Sequence, residues 1–132
     1  MIKDYAVTLL RCELLQTRGR RDDQPSDLRL LNYVLSTNLR RHFLLLCVQT
    51  GYENKPLYIK ESSIVLECSL NAVRTMAQEC IEEGWIENVT SQHMNNSKVK
   101  YGCVHSQQNL IDSWEAYAIW HKGCYKVLLD TI

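Results

Sequence analysis

The stretch SLNAVRTMAQECIEEGWIENV, Ser69 to Val89, decides how this chain is read. Wound at about 100° per residue, Leu70, Val73, Ala77, Cys80 and Ile81 fall in one arc, with Met76 at its edge. Asn71, Arg74, Thr75 and Gln78 fall on the opposite arc with Glu82, at the spacing i, i+3, i+4, i+7. Ser69 is a good N-cap and Gly84 a good stop. The pattern predicts an amphipathic helix from Ser69 to about Glu83, ended by Gly84 and followed directly by a strand from Trp85 to Val89.

The polar stripe has a chemistry of its own. Asn and Gln can bond adenine with two hydrogen bonds, Arg can do so to guanine, and Thr can meet a thymine methyl in the major groove. The helix start, at Ser69, favours a phosphate. Glu79, Glu82 and Glu83 are confined to the last turns, where such a helix would be leaving the groove.

Working outward, Leu57–Ile59 is a short β-type run, and Ser62 or Ser63 is placed to cap a short helix over SIVLEC. Two capped helices in such close succession have helix-turn-helix spacing. After the strand at Trp85–Val89, a second is expected over Lys98–Val104, with Asn95-Asn96-Ser97 as turn chemistry between them. This makes helix, turn, helix, hairpin: the winged helix-turn-helix order. The Gly turns the chain sharply, and Trp85 and Ile86 anchor the turn.

Towards the N-terminus, residues 4–17 are expected to be helical on the spacing of Ala6, Leu9, Leu10 and Leu14. TRGRRDDQPSD, residues 17–27, reads as a polar mobile loop. Ser26 or Asp27 then caps a second helix with Leu28, Leu31, Val34 and Leu35 as its apolar stripe. Ser36, Thr37 and Asn38 offer three N-caps to a third helix over Leu39–Thr50, for which Gly51 fits the C-cap. Towards the C-terminus, Ser106 is expected to cap a last helix carrying Leu110, Trp114, Tyr117, Ala118 and His121 on one side, with Gly123 as its stop. Residues 124–132 form an apolar tail, helical or extended.

Composition limits the alternatives. At 132 residues the expectation is one domain with a core of its own, with N-terminal helices over 1–35, a winged core over 36–105 and a C-terminal helix and tail over 106–132. No apolar run approaches the roughly 20 residues of a membrane span. The start of the chain, with acids at Asp4 and Glu13, reads as a structured helix and not a signal peptide, so the cytoplasm is the expected location. Six cysteines at 12, 47, 68, 80, 103 and 124 lack C-x-x-C spacing and read as buried free thiols. Cys103 with His105, and His121 with Cys124, supply too few ligands for a recognised zinc site; no metal or cofactor is expected.

Net charge is zero, so any nucleic-acid binding must come from local patches. Residues 1–60 carry ten Lys and Arg against six Asp and Glu, whereas 61–132 carry five against nine. Lys55 and Lys60 flank the first strand and are candidates for phosphate. Arg40 and Arg41 open a helix and are expected to pair with acids. The chain has no G-x-S-x-G, no Gly-rich phosphate loop and no H-E-x-x-H, and is not expected to be an enzyme.

Residues 57–89, LYIKESSIVLECSLNAVRTMAQECIEEGWIENV, resemble the central part of the MarR family of bacterial transcriptional regulators, most closely in IEEGWIENV. The resemblance extends to LSTNLRRHFLLL before the strand and SQQNLIDSWEAYAIW after the wing. It implies a winged helix-turn-helix fold, mainly α with a small β-hairpin wing, working as a homodimer through the N- and C-terminal helices. It also implies one recognition helix per half-site of double-stranded DNA. One departure is the wing tip, Asn95-Asn96-Ser97-Lys98, where the family usually carries Asp-x-Arg. His93, Lys98 and Lys100 are then the wing residues left to meet phosphate.

The expected function is sequence-specific DNA binding by a transcriptional regulator, a repressor in the first instance. Base contacts would come from Asn71, Arg74, Thr75 and Gln78, and phosphate contacts from Ser69, Lys60, Lys98 and Lys100. The alternative is a winged-helix module for protein–protein interaction without DNA binding. A small-molecule effector between wing domain and dimer helices is compatible with the first reading. So is oxidant sensing at Cys12, although a buried interface thiol is the plainer reading there.

Overall fold

The computed structural model describes residues 2–21, 25–94 and 100–131. It is mostly helical, with a small antiparallel sheet. Two compact units are distinguished: Met1–Asn32 with Ser113–Ile132, and Tyr33–Asp112. Among the described residues no helix is long and apolar enough to cross a membrane.

In the first unit, α1 spans Ile2–Arg21. It is longer than the apolar spacing of residues 4–17 indicates, and it carries Arg18, Arg20 and Arg21 on helix where a mobile loop was expected. Asp22 and Asp23 lie outside the described residues. The helix α2, Pro25–Ser36, starts on a proline whose fixed φ and missing N–H suit a first helical position. Ser26 and Asp27 are therefore inside its first turn and not before it. The last helix, α7, runs over Gln108–Thr131 without stopping at Gly123, and the expected tail is helical.

The second unit is built on α3, Asn38–Tyr52. Of the three N-cap candidates Thr37 is used: its hydroxyl accepts from the Arg40 amide at 3.1 Å. Phe43, Leu44, Cys47 and Val48 turn one face of α3 into the core. Gly51 is not the cap of this helix but lies inside it. A Cβ there would collide with Ser106 Oγ, so the residue is small because α3 crosses the sheet closely. The left-handed residue that ends the segment is Asn54, at φ 56°.

Strand β1 is Leu57–Tyr58 and α4 is Ile59–Val65. The expected serine caps of α4 are wrong. The helix starts at Ile59 with no side-chain cap, and Ser62 and Ser63 donate back to the carbonyls of Tyr58 (2.9 Å) and Lys60 (2.7 Å). A turn through Glu67 (φ 52°) leads into α5, Leu70–Glu82.

Both ends of α5 follow local rules. Ser69 accepts from the Ala72 amide at 3.1 Å. Gly84 sits at φ +79°, with its amide on Ile81 O at 3.0 Å and the Trp85 amide on Cys80 O at 3.1 Å. That pair of bonds is the Schellman arrangement, which fills the last open carbonyls of a helix.

Strand β2 is Ile86–Asn88, α6 is the single turn Thr90–His93, and β3 is Cys103–Ser106. The sheet order is β1-β3-β2, with Leu57 opposite Val104 and Glu87 opposite His105. The second strand thus starts later than Lys98, and it pairs with β1 as well as β2. Asn95-Asn96-Ser97 lies outside the described residues. Thr90 explains the shift. Buried, its hydroxyl accepts from the amides of Gly102 (2.8 Å) and Cys103 (3.2 Å), while Asn88 accepts from it. These bonds draw the chain into α6 and hold both sides of the hairpin together. Ser106, expected as a helix cap, instead ends β3, its hydroxyl buried and without a hydrogen-bond partner among the described residues.

Candidate nucleic-acid interface

The inner face of α5 sets the roll of the helix. Val73, Ala77 and Cys80 are fully buried and Met76 nearly so, while Leu70 and Ile81 are half-buried. Burying three or four such side chains contributes several kcal/mol, at about 1.5–3 kcal/mol for each full-sized one, so the helix has little freedom to rotate. Ser69, Asn71, Thr75 and Gln78 are exposed as a result, and Arg74 is half-buried.

The four stripe residues differ in what they leave available. Among the described residues, the Asn71 amide and the Arg74 guanidinium make no hydrogen bond or ion pair. The Thr75 hydroxyl donates to Asn71 O at 2.9 Å. The Gln78 amide nitrogen donates to Glu82 at 3.2 Å.

The flanking cations are less tightly grouped. Lys60 is exposed near the start of α4, which packs against α5. Lys100 is exposed before β3, its ammonium 5.3 Å from the centre of the Tyr101 ring. Lys98 lies outside the described residues, and His93 is exposed at the end of α6. Lys55 pairs with Glu53.

The structure adds a cluster with no local sequence signal. Arg40 pairs with Glu79 at 2.8 Å, donates to Ser36 at 3.2 Å and lies 5.1 Å over the Tyr33 ring. Tyr33 in turn stands edge-on to Trp85, centroids 5.4 Å apart. The expected pairing of Arg40 with an acid is therefore met, and the acid belongs to α5. Arg41 is exposed. No local sequence signal ties Tyr33 to this cluster, because 46 residues separate it from Glu79.

Burial governs the titratable groups here. It pushes the Cys80 thiol up to about 12 and the Cys47 thiol well above its ordinary value, and it raises Cys103. The Tyr33 phenol is also raised, by burial first and then by Cys80. Such thiols stay protonated and unreactive near neutral pH. The Cys12 side chain lies outside the described residues. Among those described, no group of three His, Cys, Asp or Glu could hold a metal ion.

Comparison with known proteins gives no match: no family model, no curated protein and no solved structure.

Proposed function

We propose that the chain is a MarR-like winged helix-turn-helix regulator that binds double-stranded DNA sequence-specifically and has no catalytic role. In this reading α4, the turn through Glu67 and α5 form the helix-turn-helix, and β2 and β3 the base of the wing. The helix α5 enters the major groove and addresses bases with Asn71, Arg74, Thr75 and Gln78. Ser69, Lys60, Lys98 and Lys100 address phosphates.

The observation that carries this reading is the outer face of α5: a helix capped at both ends, rolled into place by a buried inner face, with Asn71 and Arg74 unengaged among the described residues on its first turns. The docking of such a helix by its N-terminal residues is the usual helix-turn-helix mode.

A homodimer belongs to the same proposal. On α1, Ile2, Tyr5, Leu9, Leu10 and Leu14 are all 40% or more exposed, an apolar surface that a second copy would cover. The test is to select bound duplexes from a random pool and measure the selected site against unrelated DNA at two salt concentrations. Enrichment of one sequence, with tighter binding to it at both salts, supports the reading. No binding at low salt overturns it.

One observation favours a second reading, a protein-interaction module. On α4, Ile64 is 72% and Val65 54% exposed. Absent DNA binding together with a partner whose capture is lost in Ile64→Asp would support it.

A further inference from the structure

The bonds inside α5 narrow what its outer face can read. A threonine presents a hydroxyl and a methyl on the same carbon. Thr75 commits its one hydroxyl hydrogen to Asn71 O at 2.9 Å, which turns the oxygen to the helix backbone. The residue is exposed and has no donor left for a ligand: what it offers is the γ-methyl, beside an oxygen that can only accept. One turn earlier, Asn71 keeps its whole amide, with donor and acceptor both unengaged among the described residues. Next along the stripe, Gln78 has its amide nitrogen on Glu82.

An apolar group facing the major groove has one specific counterpart on the bases. That counterpart is the C5 methyl of thymine, which cytosine lacks and which uracil lacks while keeping every hydrogen-bonding atom. We propose that Thr75 reads a pyrimidine 5-methyl group, so that the α5 surface selects duplexes carrying thymine, not merely a thymine-like hydrogen-bonding pattern, at one fixed position. This rests on the DNA-binding reading above. Side chains one turn apart stand about 5–6 Å from each other, and base pairs rise about 3.4 Å each. The thymine therefore lies within about two base pairs of the base that Asn71 addresses, for which its free amide favours adenine.

The experiment starts from the duplex selected from a random pool. Each thymine is replaced singly by deoxyuridine, which removes the methyl and nothing else. Binding is titrated with the wild-type chain and with Thr75→Ser, which keeps the hydroxyl and loses the methyl. Thr75→Ala serves as a second variant, and thermal melting establishes that each protein is folded. At one position the wild type should bind deoxyuridine about fourfold more weakly, the factor that one buried methyl-sized group provides. Thr75→Ser and Thr75→Ala should bind the two duplexes equally. A selected site that tolerates deoxyuridine at every position overturns the inference, as does a preference that survives both variants; the DNA-binding reading stands in either case. If no sequence is enriched, that reading fails and the inference with it.

Discussion

The two halves of α5 share an inner face and differ on the outer one. Along the first turns, Asn71 and Arg74 have no partner among the described residues, and Ser69 satisfies the helix end. Along the last turns every long polar side chain is occupied: Glu79 by Arg40, and Gln78 and Glu82 by each other, while Glu83 also has a partner. The first half leaves an amide and a guanidinium unengaged among the described residues, and the second engages its long polar side chains within the fold. Glu79 is thus neutralised by Arg40 and Glu82 is hydrogen-bonded by a neutral amide, while the stripe near the N-terminus keeps its positive residue, Arg74.

The comparison breaks most severely if the shared face is disrupted. Val73 is fully buried on the face of α5 that packs on α3 and α4, and Val73→Asp would place a carboxylate in the apolar core. Burying such a group costs several kcal/mol. The expected result is loss of a cooperative melting transition by circular dichroism, with both halves of α5 lost together.

The buried groups around the clamped half carry a pH dependence. In the folded chain the Cys80 thiol is held up to about 12, against an ordinary value of 9.0 in the unfolded chain. Below pH about 9 both states keep the proton, so stability is flat. Above it the unfolded state releases the proton first and is favoured, by at most about 1.4 kcal/mol per pH unit for this group. Cys47 and Tyr33 act in the same direction, since burial raises both. The urea midpoint should therefore fall between pH 8 and pH 10.5, and Cys80→Ala should fall less steeply.

A smaller effect sharpens the contrast. The Arg40–Glu79 pair is about one-third exposed on each side, so solvent screens it. Arg40→Ala should cost about 1 kcal/mol, with most of the loss shared by Glu79→Ala in a double-mutant cycle followed by urea denaturation. Arg74→Ala, in the free half, should leave the midpoint within about 0.5 kcal/mol.

The boundaries of α5 were legible because they rest on short-range chemistry. Ser69 caps within three residues, and Gly84 supplies the left-handed conformation that the turn requires. The alternation of Val73, Ala77 and Cys80 with Asn71, Thr75 and Gln78 survives folding intact. Elsewhere local signals misled. Ser62 and Ser63 are cap-type residues, yet their hydroxyls bond back into α4, which starts at Ile59. Gly51 and Ser106 look like a stop and a start. Their positions are decided by the approach of α3 to β3, a contact 55 residues apart in sequence. The late start of β3 depends on Thr90, which gathers the amides of Gly102 and Cys103 from across the hairpin. The Arg40 clamp was half-legible: the charge predicted an ion pair, but nothing near it in sequence identified Glu79 or Tyr33.

The central claim is that the free half of α5 reads base edges. Its most direct test compares Arg74→Ala with the wild type on the selected duplex and on unrelated DNA. The account predicts a loss of about 1–3 kcal/mol on the selected duplex, little loss on unrelated DNA, and relaxed preference at one base position. An equal loss on both, or none on either, would contradict it.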